Sequence, residues 1–302
     1  MKYDLVIIRY SEIALKQKET RKRFENVLVS NIKNALNHHN ITSKIKKEWG
    51  RIYIYTDKIN DCIPILQTVF GINSVSPAIT TKSLKEQIAE VALELANHYL
   101  TKNQSFAVKT TRTGNHSFTS QEMSAYIGGE VQKKINSPVN LSHPDFQIFI
   151  EIRKETAYVF TQIYRGVGGL PMGTQGLVAA LVHNANDILA AWYLLKRGCN
   201  VLFIISDHEK QLLLDRFQKK WNIQKETVCI TDEKNYDQIN NVLEEKKCLA
   251  LVTGHHLYPT HKEKIKGLTQ LNEKVNVPIL SPLIAMDSQT ITNKYREIGV
   301  VK

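Results

Sequence analysis

Gly166-Val167-Gly168-Gly169-Leu170-Pro171-Met172-Gly173-Thr174-Gln175-Gly176 divides the chain into two textures. Five glycines and a proline in so short a run mark a linker. Downstream of it, strand candidates Leu177–Val182, Val201–Ile205, Thr227–Thr231, Cys248–Thr253 and Pro278–Leu280 alternate with helical stretches. The helices are expected at Ile188–Lys196, Glu209–Trp221, Tyr236–Glu245 and Thr260–Leu271. Near-continuous apolar strands joined by helices predict a doubly wound parallel α/β sheet. Such sheets take ligands beyond the carboxyl ends of their strands, at the switch point of strand order.

Upstream, the period is mixed. Tyr3–Arg9 reads as a strand, and Phe24, Val27, Leu28, Ile32 and Leu36 recur at helical spacing over Thr20–Asn37. Arg51–Thr56 alternates as a strand, and Ile59–Phe70 reads as a helix stopped by Gly71. With a further short strand this is a small α+β module of ferredoxin-like type. A second module follows: helix Ser83–Leu100, strand Ser105–Thr110, helix Glu122–Ile135, and a hairpin from Gln147–Ile152 and Ala157–Tyr164. The division expected is 1–75, 76–165 and 166–302.

Net charge is +11. Residues 1–165 carry 23 Lys+Arg against 15 Asp+Glu, and residues 166–302 carry 17 against 14. A basic excess concentrated in the first two modules points to a polyanionic partner; a solvated surface is the plainer account. The start of the chain lacks the long apolar run of a secretion signal, and nothing resembles a membrane span, so a cytoplasmic location is expected. Cys62, Cys199, Cys229 and Cys248 form no CxxC pair. They are expected as buried thiols, without structural zinc or disulfides.

Several segments resemble landmarks of one family. Arg9-Tyr10-Ser11-Glu12-Ile13-Ala14-Leu15-Lys16, with Arg21, Arg23, Phe24 and Glu25, is similar to the RYGEIALKGK opening of the tRNA 4-thiouridine synthetase (ThiI) family. Val69-Phe70-Gly71-Ile72 and Ser76-Pro77-Ala78 resemble its next landmark. Phe106-Ala107-Val108-Lys109, Arg112, Phe118 and Ser120 look like the core of its THUMP domain, and Pro144-Asp145 with Ile150-Glu151-Ile152-Arg153 like the THUMP hairpin. The segment from Gly168 to Gly176 is similar to GGLPVGTQGK, while Lys196-Arg197-Gly198 and Ser281-Pro282-Leu283-Ile284-Ala285-Met286-Asp287 resemble landmarks of the third domain. The resemblance implies a ferredoxin-like module, a THUMP RNA-binding domain and a PP-loop ATPase-like α/β domain. It also implies tRNA gripped at its acceptor end, ATP with Mg²⁺ as the activating cofactor, and a homodimer.

The third domain of that family opens with an SGGxDS loop. Two glycines let backbone N–H groups reach phosphate, and the helix N-terminus favours its charge. Here the corresponding residues are Val182, His183, Asn184, Ala185, Asn186 and Asp187. Cβ atoms narrow the cradle, and Asp187 brings a negative charge to where triphosphate would sit, which disfavours ATP. As a structural residue, Asp187 caps the following helix with Asn186. Gly254-His255-His256-Leu257-Tyr258-Pro259-Thr260 stands where active members carry GESLGQVASQT, and Ile298-Gly299-Val300-Val301-Lys302 closes the chain before the sulfur-carrying cysteine.

His183, His208 and His255 each fall at a strand's carboxyl end. They can converge with Asp187 and Asp207 on the old nucleotide pocket for metal or acid–base work, or simply face solvent. No catalytic residue and no metal ligand is assigned. For RNA the candidates are Arg9, Lys16, Lys18, Arg21, Lys22 and Arg23, then Lys109, Arg112, His116 and Phe118, although Phe118 reads more readily as a core residue. Three functional readings follow. One is a tRNA-binding ThiI-like protein of 4-thiouridine-type modification that has lost adenylation and serves a partner modification enzyme. Another is an ATP-dependent tRNA sulfurtransferase with an altered loop or a partner's sulfur site. The third is a sheet binding some other small ligand.

Overall fold

The computed structural model describes residues 2–101, 103–223, 226–258 and 262–300. It separates into two compact units. The first comprises residues 1–9, 39–67 and 74–165; the second comprises 10–38, 68–73 and 166–302.

The first unit is built on one sheet of eight strands. These are β1 (Leu5–Arg9), β2 (Lys44–Glu48), β3 (Arg51–Tyr55), β4 (Ser74–Lys82), β5 (Phe106–Thr113), β6 (Phe146–Arg153), β7 (Thr156–Phe160) and β8 (Tyr164–Arg165). They run in the order β2-β3-β1-β4-β7-β6-β5, with β8 also on β4. β4 carries the continuity. Its Ser74–Ala78 half pairs with β1, and its Ile79–Lys82 half pairs with β7. The expected division at 75/76 therefore falls inside a single strand.

The sheet is strongly coiled. Tyr53 of β3 and Tyr158 of β7 stack with ring centroids 5.0 Å apart, although three strand spacings would separate them by about 14 Å in a flat sheet. Leu5, Ile7, Tyr53, Ala78, Tyr158 and Phe160 form the core inside this curl. On the opposite face, α3 (Lys85–Tyr99) and α4 (Ser120–Ile135) bury Ile88, Leu95, Met123, Ile127 and Val131 against β5, β6 and β7. α4 starts where Thr119 and Glu122 make a reciprocal capping box and stops where Asn136 turns left-handed at φ 56°. The other helix of this unit is α2 (Ile59–Gln67).

The second unit holds α1 (Lys18–His38) and a parallel sheet of β9 (Leu177–Leu181), β10 (Asn200–Ile205), β11 (Thr227–Cys229), β12 (Leu251–Val252) and β13 (Ile279–Leu280). Its order is β11-β10-β9-β12-β13, so chain direction across the sheet reverses between β9 and β12. Helices α5 (Ala185–Lys196), α6 (His208–Trp221), α7 (Tyr236–Glu245), α8 (Lys262–Lys274) and α9 (Ser288–Ile298) accompany it. β9 shows why its sequence is apolar without interruption: Val178 and Ala180 enter one core with Trp192, Phe203 and Trp221, while Ala179 and Leu181 enter the other with Leu202, Ile239 and Leu243.

The structure adds elements that periodicity does not signal. β2 reads Lys44-Ile45-Lys46-Lys47-Glu48 and is a strand because β3 pairs along all of it. α9 is capped by Asp287 and ended by Gly299. The expected hairpin strand Ala157–Tyr164 divides into β7 and β8. Cys229 corrects the buried-thiol expectation: it ends the edge strand β11 and is exposed, whereas Cys62, Cys199 and Cys248 are buried. Among the described residues no helix is long and apolar enough to cross a membrane. Pro259, Thr260, Val301 and Lys302, on which part of the motif reading falls, lie outside the described residues.

Candidate functional site at the carboxyl edge of the parallel sheet

The loops after β9, β10, β11 and β12 enclose a cavity of about 790 Å³ at the switch point of strand order. His183, Asn184, Asn186 and Asp187 reach it from the first loop, Ser206, Asp207 and Lys210 from the second, Asp232 and Glu233 from the third, and Gly254, His255 and His256 from the fourth. A parallel sheet opens a crevice here because neighbouring loops leave toward opposite faces.

Asp187 organises the first loop. Its Oδ2 accepts the backbone N–H of His183 at 3.0 Å and of Asn184 at 3.1 Å, and its Oδ1 accepts that of Gly254 at 2.6 Å. Asn184 closes the cap by accepting the Asn186 N–H at 2.8 Å. The carboxylate is 4% exposed. N–H groups converging beside a helix N-terminus form an anion cradle; here two come from the residues just before α5 and one from the loop after β12, and the chain's own carboxylate accepts all three. Gly254 must be glycine, because a Cβ there would lie 2.4 Å from the Asn186 carbonyl carbon and 2.5 Å from the Asp187 nitrogen. A triphosphate approaching this loop in the SGGxDS manner would meet N–H groups already engaged by a carboxylate.

A polar network lies beside it. His183 Nδ1 is 2.5 Å from Glu233 Oε2, and Glu233 also pairs with Lys210 and accepts from Ser206 Oγ at 2.6 Å. Burial lowers the His183 imidazole below the usual histidine range; Asp187 opposes this and Lys210 adds to it. Burial likewise lowers His255, against the pull of Asp187. Asp207 caps α6, and the Lys210 backbone N–H and ammonium hold its carboxyl at about 2. These groups can hold polar ligands and relay protons. Among the described residues, none forms a group of three or more His, Cys, Asp or Glu disposed to hold a metal.

The sequence candidates divide accordingly. His183, Asn184, Asn186, Asp187, Asp207 and His255 line the cavity; Val182 is in the core and His208, exposed at the start of α6, does not line it. Sequence reading missed Ser206, Lys210, Glu233 and His256. All four sit within five residues of the end of an expected strand, which is the signal that would have found them.

The RNA candidates also separate. Lys16 and Arg23 are exposed in the second unit, and Arg21 lies 4.0 Å from Glu25. In the first unit Arg9 is engaged by Ser76 and Glu151 and covers the Phe160 ring. Phe118 is core, 7% exposed, with Lys85 over its ring. Lys109 is exposed on β5. Strand alternation sets Lys109 on the Glu151 face and Arg112 on the helix-covered face, where its Nη1 donates to Gly114 O.

A coiled mixed sheet and a doubly wound sheet with a loop-built cavity at its switch point define the architecture. Residues 5–76 match the ThiI ferredoxin-like domain, 83–162 the THUMP domain, and 211–302 the family described as thiamine biosynthesis protein (ThiI). A probable tRNA sulfurtransferase of Methanobrevibacter smithii is 34% identical over 99% of this chain and 87% of its own. One of Methanothermobacter thermautotrophicus is 33% identical over 98% and 85%. The chain belongs to the ThiI family. Among solved structures, PH1313 of Pyrococcus horikoshii matches with a TM-score of 0.85 at 27% identity, covering 98% of this chain and 99% of that one. A 4-thiouridine synthetase solved with RNA and ATP shares the fold, with a TM-score of 0.79 at 24% identity over 99% and 86%.

Proposed function

We propose that this protein acts on tRNA as a sulfurtransferase of the 4-thiouridine type, binding the acceptor end through its first unit and using the cavity of the second. The observation that carries the reading is similarity over nearly all of this chain to probable tRNA sulfurtransferases, joined to a cavity at the switch point where such sheets take ligands. The relatives favour this over the tRNA-binding accessory role. Activation of the uridine then requires ATP held away from residues 183–187, or supplied through a partner enzyme.

One observation favours the accessory role as the second reading: the Asp187 carboxylate occupies the loop's N–H groups. The proposal keeps three modules divided near 75 and 165 and a homodimer, which sedimentation checks. The deciding experiment incubates protein, tRNA, Mg-ATP and a sulfide donor, and follows pyrophosphate and thiolated nucleoside. Tight tRNA binding without pyrophosphate establishes the accessory role. For the first unit, replacing Lys109 and Arg112 together by alanine is expected to weaken tRNA binding and to reduce the salt slope by about 2. An unchanged affinity in filter binding removes Lys109 and Arg112 as RNA contacts.

A further inference from the structure

The turn between β2 and β3 places an aromatic ring where the sequence resemblance assigns nothing. Over residues 44–51, Lys44, Lys46, Lys47 and Arg51 face a single carboxylate, Glu48. At the tip, Gly50 takes φ +74°, which closes the turn and leaves Trp49 64% exposed. Burying an indole is worth more than burying almost any other side chain. An indole this exposed on a basic hairpin offers surface on which a base can stack.

The hairpin is tied to the THUMP motif. Arg153 Nη2 donates to Trp49 O at 2.5 Å, Lys154 O meets His116 Nε2 at 2.8 Å, and Arg112 Nη1 donates to Gly114 O at 3.3 Å. Trp49, Arg153, exposed Lys154, His116 and Arg112 thus follow one another along one rim of the coiled sheet. Arg9, Arg51 and Arg153 share one buried carboxylate, Glu151, so this end of the sheet keeps an excess of positive charge. Glu48, already paired with Lys46, and Glu155 are the acids nearby in sequence.

We propose that Trp49 is a base-stacking platform for an unpaired nucleotide of the bound RNA, whose neighbouring phosphates run along Lys154 and Arg112. Forked guanidinium and ammonium groups suit phosphate, while single-stranded bases offer π-faces that a duplex conceals. The site rests on the tRNA-binding reading and extends it from the THUMP motif into the ferredoxin-like half of the sheet.

The test uses the full chain, a tRNA transcript and a blunt RNA duplex of equal charge. Trp49→Ala is expected to weaken tRNA binding about tenfold, to leave duplex binding and the salt slope unchanged, and to leave thermal stability as in the wild type. Trp49 is also a reporter, because the other two tryptophans, Trp192 and Trp221, are 1% and 6% exposed. Stacking will quench the fluorescence of the wild type on adding tRNA, and Trp49→Phe will abolish the quench while keeping most of the affinity. Wild-type affinity in Trp49→Ala, or an equal loss on duplex and tRNA, overturns the platform. The Lys109/Arg112 double variant separates the two readings: if it weakens binding while Trp49→Ala does not, the THUMP contact stands and this site alone falls.

Discussion

Replacing Glu151 by alanine is expected to destabilise the first unit by about 3–5 kcal/mol, because it leaves partly buried cations without their anion. Glu151 is 5% exposed and receives Arg51 Nε at 2.7 Å, Arg9 Nη2 at 3.2 Å and Arg153 Nη1 at 3.2 Å. Those guanidiniums come from β1, β3 and β6, so the carboxylate clamps the curl of the sheet as well as neutralising it. Burial by itself raises the Glu151 pKa; Arg51 and Arg9 together outweigh it, and the net shift is downward from 4.5. A carboxylate with a depressed folded pKa stabilises above the unfolded value and loses that stabilisation as pH falls through the folded one. Urea denaturation of the wild type should therefore show stability dropping on acidification below pH 4.5. Glu151→Gln should start lower at neutral pH and lose less on acidification. A Glu151→Gln protein with wild-type stability and the same acid limb would show that the cluster does not hold the curl.

The second large effect is expected at Asp187. Asp187→Ala removes the acceptor of three backbone N–H groups at once and should destabilise the second unit by about 3 kcal/mol. For a domain of this size that lowers the melting temperature by roughly 6–12 °C. Gly254 adds to the loss, because its N–H, on the loop after β12, loses its acceptor together with those of His183 and Asn184. Asp187→Ser restores the residue type that the SGGxDS loop carries at this position. It should leave the His183, Asn184 and Gly254 N–H groups open to an outside anion, and bind pyrophosphate about tenfold more tightly than the wild type in calorimetry. If Asp187→Ser gains nothing, the shape imposed by His183 and Asn184 excludes phosphate, and the carboxylate is only a cap. Pyrophosphate release by the wild-type protein would instead place its nucleotide elsewhere in the cavity.

Those two carboxylates mark how far sequence reading reaches. The parallel sheet was legible because its strands are buried on both faces: Val178 to Val182 must all be apolar, whichever core each one enters. Helix starts were legible only in part: Asp187 with Asn186 marked a cap before α5, but the N-cap is Asn184 with Asp187 at the third helical position, and α4 starts at Ser120 behind Thr119 rather than at Glu122. β2 was not legible, because an edge strand with an exposed, charged face carries almost no alternation and is defined by its partner β3. Cys229 looked buried from its apolar neighbours, but an edge strand leaves it exposed.

The candidate site divides along the same line. Position at a strand's carboxyl end left open whether His183, His208 and His255 converge or face solvent; parallel topology brings His183 and His255 to one cavity and leaves His208 outside it. Their partners come from distant sequence: Glu233 reaches His183 across 50 residues, Gly254 reaches Asp187 across 67, and Arg153 reaches Trp49 across 104. Periodicity and capping are short-range properties, so the sequence alone determined the class of each unit and the residue types at its loops. Which anion fills the cradle, and which ring stands beside the THUMP motif, depend on strand order and on the coil of the sheet. Those arise only when the whole hydrophobic core closes.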